Sequence, residues 1–359
     1  MSNVQHPSAW IHPAAVETIR SKAKEAEALQ QLHPDQLALI YANKWFKLYV
    51  PRMYNGLELS LVEALQTEEA LAWADGSLGW TVTLCSGANW FIGFLQPEAA
   101  AIFQEDTVCL AGSGKASGTA SITEGGYLIN GQWNYATGAP HATHFTVNCV
   151  IEKDGVALQT PDGNPLIRSF FFTKEEVTIH HNWFATGMIA TASNSFTVEN
   201  RWVPENRCFR IDSEHAVLPH PIFQYPFLQF AEATLAVNYS GMAQHFLDLC
   251  KPLFAKKNNE ALVTHLHSAQ TRLYELRTFF YEAVKQLSPQ HSSPTNSETT
   301  LLQNISNTSY LLARVARKIV DDMYPLCGLH AADSRTELNQ VWRDLHTASQ
   351  HTLLNTLKP

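Results

Sequence analysis

Tyr135 and Thr137 stand one residue apart near the end of a stretch, Asn130 to Gly138, that reads as a β-strand. Side chains on a strand alternate between faces, so these two are expected to share one. An aromatic ring beside a hydroxyl offers a wall and a hydrogen-bonding group to a flat ligand, although any half-buried strand can carry such a pair. Gly112-Ser113-Gly114 is either a plain glycine turn or a loop whose bare N–H groups can reach a ligand edge that becomes anionic. At the other end of the chain His351 follows Arg343-Asp344, and no acid lies beyond Asp344. An imidazole titrates near neutrality and can manage protons; a histidine near a helix end can equally be a surface group. His180-His181 and His265-x-His267 lack a carboxylate or cysteine at ligand spacing, so no metal is expected.

The elements that must position these groups fall into three blocks: a helical N-terminal domain (1–105), a β domain (106–215) and a C-terminal helical bundle (216–359). In the first, Ser60 followed by Glu63 is a capping box that starts a helix bearing Leu61, Leu65 and Leu71. Ala74-Asp75-Gly76 ends that helix. The charge-free run from Gly76 to Pro97 has transmembrane length, but its Ser, Thr, Asn and Gly content suits a buried helix lining something polar. In the second block Gly125-Gly126 separates alternating runs, as in a hairpin. Strands are expected at 127–129, 145–147, 169–172, 177–179 and 195–198. The third block regains helical periodicity, with four helices near 226–254, 258–287, 298–325 and 335–356, and a polar joint at 290–297.

With 359 residues, 45% of them hydrophobic, the chain can bury large cores and is not disordered. Its charged content of 16% is low, which favours an oligomer or large pockets. A net charge of −8 without a basic run argues against nucleic acid as a partner. Six cysteines without a C-x-x-C pair fit free thiols in a reduced cytoplasm, and no secretory signal or membrane association is expected.

The α–β–α order resembles the acyl-CoA dehydrogenase superfamily. Val50-Pro51-Arg52-Met53-Tyr54-Asn55-Gly56, the helix bearing Glu68-Glu69, and Val203-Pro204 resemble its segments. Three motifs are similar to its flavin-dependent monooxygenase branch: Gly76-Ser77-Leu78-Gly79-Trp80, Gly131-Gln132-Trp133-Asn134-Tyr135-Ala136-Thr137-Gly138-Ala139-Pro140-His141-Ala142, and Arg343-Asp344 with His351 seven residues on. The resemblance implies an α+β fold with a helical N-terminal domain, a β-barrel middle domain and a C-terminal four-helix bundle. It also implies a homotetramer or dimer.

The resemblance further implies a flavin, FMN or FAD, held by Gly112, Ser113, Tyr135, Thr137 and Ser193. Ser193 enters through Trp183 to Ser195, with Gly187 and Ser193-Asn194-Ser195, a stretch that resembles the branch's G-x-x-x-T-x-S segment. No R-x-x-F-G segment for an adenosine is found, which favours FMN or reduced flavin delivered by a partner reductase. Most dehydrogenase members place a base eight residues after the R-D aspartate; that position is Thr352 here. An alternative base, Glu232, is one residue out of register, a turn of about 100° on a helix. His351 is therefore the implied catalytic group, managing protons at the hydroperoxide that reduced flavin forms with O₂ in a dry pocket. His141 is expected to be structural or to support the site from behind. Asn89 and Trp90 on the uncharged helix could face substrate. The expected function is a monooxygenase acting on an apolar or aromatic small molecule; an acyl-CoA dehydrogenase, or a relative that has lost flavin, are the alternatives.

Overall fold

The computed structural model describes residues 4–287 and 296–355. The first helical block contains α1 (Pro13–Leu29), α2 (Pro34–Ala42), α3 (Leu61–Ala74), α4 (Gly76–Asn89) and the short α5 (Pro97–Ala100). The capping box forms: Ser60 Oγ accepts from the Glu63 N–H, and Glu63 accepts from the Ser60 N–H at 2.9 Å. Asp75 alone separates α3 from α4. Its N–H donates to the Leu71 carbonyl at 2.9 Å, closing α3, and its Oδ1 accepts from the Leu78 N–H at 2.8 Å, opening α4. The charge-free run is thus α4 and a 3-10 continuation, Trp90–Phe94, both almost wholly buried. Among the described residues, no helix is long and apolar enough to cross a membrane.

The middle block is one sheet built from β1 (Leu110–Gly112), β2 (Gly118–Thr123), β3 (Gly126–Ala136), β4 (His144–Lys153), β5 (Val156–Ala157), β6 (Ile167–Thr173), β7 (Thr178–His180), β8 (Asn194–Pro204) and β9 (Cys208–Phe209). Its order is β7-β8-β3-β2-β4-β6-β9, with β1 and β5 also on β4. The expected hairpin joins β2 to β3, with Thr123 opposite Gly126. One face buries Trp133, Phe145, Phe170, Phe172 and Phe196 in a core of its own. Trp133 stacks on Phe196 and donates its indole N–H to the Asn148 carbonyl at 3.0 Å.

The C-terminal block comprises α6 (Phe227–Lys257), α7 (Glu260–Gln286), α8 (Asn296–Cys327), the short α9 (Leu329–Ala332) and α10 (Glu337–Ala348). The polar joint expected at 290–297 lies, up to residue 295, outside the described residues. The last helix stops at Ala348, short of the expected 356. Ser349 Oγ returns to the His346 carbonyl at 2.8 Å, and the Tyr239 hydroxyl takes the Ala348 carbonyl at 2.7 Å. Both carbonyls are ones that a continuing helix would use. His351 therefore sits in the turn after α10.

A buried ion pair ties these helices together. Arg277 on α7 donates to both oxygens of Glu69 on α3, at 2.7 and 2.9 Å, and Tyr281 adds a hydroxyl at 2.9 Å. Ser240 on α6 donates to the same carboxylate. Both charged groups are under 4% exposed, so removing one leaves the other buried and alone. Replacing Arg277 with Met is expected to cost about 3–5 kcal/mol in denaturant unfolding, and adding Glu69→Leu to recover much of it.

Candidate active site

At the end of β3 the register breaks. A bulge falls between Trp133 and Ala136, and the strand stops at Ala136. The regular alternation expected of Tyr135 and Thr137 is lost: Tyr135 is 58% exposed, whereas Thr137 is 7% exposed. The Tyr135 ring meets Trp183 edge-on at 5.3 Å. Ser113, just past β1, donates its hydroxyl to the Asn134 carbonyl at 2.7 Å. Gly112, at the end of β1, pairs with Thr146 of β4. The structure thus brings Ser113 against the strand end that presents Tyr135.

Thr137 is bound to Ser193 at 2.9 Å, hydroxyl to hydroxyl, and Ser193 to Thr191 at 2.8 Å. Thr191, whose own role the sequence reading passed over, donates to the Met188 carbonyl at 2.8 Å. Opposite this chain runs α4. Its Cys85 thiol lies 3.6 Å from the Thr137 carbonyl oxygen, and its Trp80 meets His351 edge-on at 5.8 Å. His351 is half-buried and held on both sides: its N–H bonds to the Ala348 carbonyl at 2.9 Å, and Tyr310 takes the Leu353 carbonyl at 2.8 Å. Burial pushes the His351 imidazole below its ordinary range, so it is neutral at pH 7. His141, four residues past Thr137, has a buried Nε2 without a hydrogen bond. Burial, helped by Lys174, pushes it down to about 4.

Three expected residues have other partners. Asn89 is fully buried, donates to the Phe46 carbonyl at 2.8 Å and accepts from the Leu110 N–H at 2.9 Å. Its amide joins α4 to β1 and has no remaining face for substrate. Trp90 stacks on Phe230 at 4.7 Å and donates to the Ile222 carbonyl at 3.1 Å, inside an aromatic cluster. Glu232 points at α8, where it accepts from Ser306, and burial raises its carboxyl above the usual range. The one-residue displacement from the expected register has turned it into the bundle.

The segment carrying Thr191 and Ser193 is anchored by α10. Asp344 Oδ1 accepts from the Met188 N–H at 2.5 Å, and Thr347 Oγ1 from the Gly187 N–H at 3.0 Å. A side chain on Gly187 would lie 2.2 Å from the Arg343 carbonyl, so only glycine lets the segment run this close. A Cβ on Gly76 would fall 3.1 Å from Asp344 Oδ2, so the same carboxyl also abuts the start of α4. Burial, then Asp75, pushes Asp344 well above the carboxylate range, and burial pushes Asp75 up to about 6. The motif signal for Asp344 was present in the sequence, but its partner at Met188 was not.

Could these residues hold an isoalloxazine? A hydroxyl at Thr137, an exposed aromatic edge at Tyr135 and Trp183, and a half-buried neutral imidazole are the donor set and wall that such a ring needs. The residues present fit. Among the described residues no group of three His, Cys, Asp or Glu could hold a metal ion. Asp344→Ala should leave the buried Met188 N–H without a partner, costing about 1–3 kcal/mol, while Asp344→Asn keeps an acceptor there. The expected readout is faster amide hydrogen exchange at 187–193 in the alanine variant only, beside its lowered unfolding midpoint.

Known proteins bear on the same question. Residues 228–356 match the family described as "Acyl-CoA dehydrogenase, C-terminal domain". The indole-3-acetate monooxygenase of Pseudomonas putida is 26% identical over 95% of this chain and 89% of that protein. The oxygenase subunit HsaA of a flavin-dependent monooxygenase from Rhodococcus jostii is 24% identical over 94% of this chain and 92% of its own length. The structure of XiaF from Streptomyces sp., in complex with FADH2 and glycerol, superposes with a TM-score of 0.84 at 20% identity, over 97% of this chain and 91% of that one. Over residues 228–356 the chain is thus similar to the acyl-CoA dehydrogenase C-terminal domain family, and over nearly its whole length to flavin-dependent monooxygenases, whose fold it shares.

Proposed function

We propose that this chain is the oxygenase component of a two-component monooxygenase that hydroxylates an aromatic small molecule. The observation that carries this reading is an imidazole, and no carboxylate, in the turn after α10: His351 rests on Trp80 of the helix whose next residues flank Thr137 and Gly138. Proton abstraction from an acyl-CoA needs a positioned carboxylate, and Glu232 is bonded into the bundle instead. Reduced flavin, FMN or FAD, would activate O₂, placing one oxygen atom on the substrate while the other leaves as water.

The chain's own groups have separable tasks. Tyr135 and Trp183 wall the ring. Thr137 and Ser193 bond its reactive edge, and Gly112 and Ser113 stand at the neighbouring strand end. His351, neutral at pH 7, holds or accepts a proton beside the reacting atoms. The buried face of α4 excludes water. The oxygenase names of the relatives support a separate flavin reductase as partner and an aromatic substrate. The low charge content supports a homo-oligomer, dimer or tetramer, and six cysteines without a C-x-x-C pair support a reduced cytoplasm.

The test is incubation of the protein with reduced flavin, ¹⁸O₂ and a panel of indoles and phenols. One labelled oxygen in the product is expected. Rapid bleaching of the oxidised flavin by a short-chain acyl-CoA, with no label incorporated, would overturn the reading. His351→Ala should lower product formation about 10²-fold while O₂ is still consumed. In the native protein product yield should fall as the medium is acidified, and the midpoint should lie below 6.5, because burial lowers the His351 pKa from that value.

A further inference from the structure

The three hydroxyls of Thr137, Ser193 and Thr191 each own one proton and two lone pairs. Thr191 lies 2.8 Å from the Met188 carbonyl oxygen, which can only accept, so the Thr191 proton is committed there. The 2.8 Å contact between Thr191 and Ser193 must then use the proton of Ser193. The 2.9 Å contact between Ser193 and Thr137 must in turn use the proton of Thr137. All three bonds run one way, from Thr137 towards Met188. The end of the chain is fixed, because the Met188 carbonyl also accepts from the Trp183 indole at 2.8 Å and the Met188 N–H is held by Asp344. Thr137 is left with free lone pairs and no free proton.

We infer that Thr191 determines which redox state of the flavin the site prefers: by fixing the direction of this hydroxyl chain it makes Thr137 an acceptor, matched to the N–H that only a reduced flavin carries at N5. An oxidised flavin presents a lone pair at the same atom, so two acceptors would face each other and both would lose a partner. The inference rests on the proposed contact between Thr137 and flavin. It predicts that flavin arrives reduced, and that the oxidised product is released because its hydrogen bond has been lost.

The experiment measures dissociation constants for FMN and FAD, oxidised by fluorescence quenching and dithionite-reduced under anaerobic conditions. Native protein is expected to bind the reduced form at least about 10-fold more tightly. Thr191→Val frees the Ser193 proton to turn towards Thr137, which can then donate, so the preference should shrink to within about 3-fold. Thr191→Ser should retain the native ratio, and Thr137→Val should weaken reduced flavin more than oxidised. Thermal unfolding of each variant separates misfolding from altered preference; if the valine variant at 191 fails to fold, Thr191→Ser and Thr137→Val decide between them. Equal binding of both states by the native protein, or an unchanged ratio in Thr191→Val, overturns the inference while leaving flavin binding intact. Native protein that binds neither flavin sinks the proposed function and the inference together.

Discussion

One backbone unit, that of Met188, carries the rest of the site. Its N–H is held by Asp344, and its carbonyl receives both Thr191 and Trp183. Each partner comes from a different part of the chain's logic: a terminal helix, a hydroxyl line reaching a β-strand, and an aromatic wall. A buried peptide group must be paired on both sides, and here the pairing doubles as scaffolding. Fixing this unit orients the hydroxyls at 191 and 193 and, through them, the hydroxyl at 137.

Burial and the neighbouring Asp75 push the Asp344 carboxyl well above the usual carboxylate range, while its bond to the Met188 N–H pulls the other way. The carboxyl sits beside Gly76 and near Asp75, where two full negative charges would repel each other in a medium with little water. The contrast with Glu69 is instructive. That carboxylate is equally buried, yet Arg277, Tyr281 and Ser240 satisfy it as an ion. The protein thus holds its buried acids in two ways: an opposite charge and two hydroxyls where helices are locked together, and a backbone N–H where the site is framed.

Much of this was legible in the sequence. The Ser60–Glu63 box, the break at Ala74-Asp75-Gly76 and the hairpin at Gly125-Gly126 are local signals, and each forms as read. Motif spacing singles out Ser193, Thr137 and His351, and the structure places Ser193 on Thr137 and His351 against Trp80. What could not be read is long-range. The bulge at the end of β3 depends on its pairing with β8, so a simple alternation rule misplaced Tyr135 relative to Thr137. Asn89 carries polar atoms on an uncharged helix, which is equally what a ligand contact or a joint between elements requires. Only the positions of Phe46 and Leu110 show that it is a joint. The end of α10 was misjudged because the tyrosine that stops it, Tyr239, lies on another helix.

Asp75 has a consequence for how such a fold can diversify. It closes one helix and opens the next with no intervening residue, so the junction has no slack. A single inserted residue would rotate α4 by about 100° relative to α3. Thr81 and Cys85 would swing away from the strand end, and Trp80 from the imidazole it supports. New specificities in proteins built on this plan must therefore arise by exchanging side chains along that helix or by remodelling loops at its far end, never by changing the length of the hinge between the two helices.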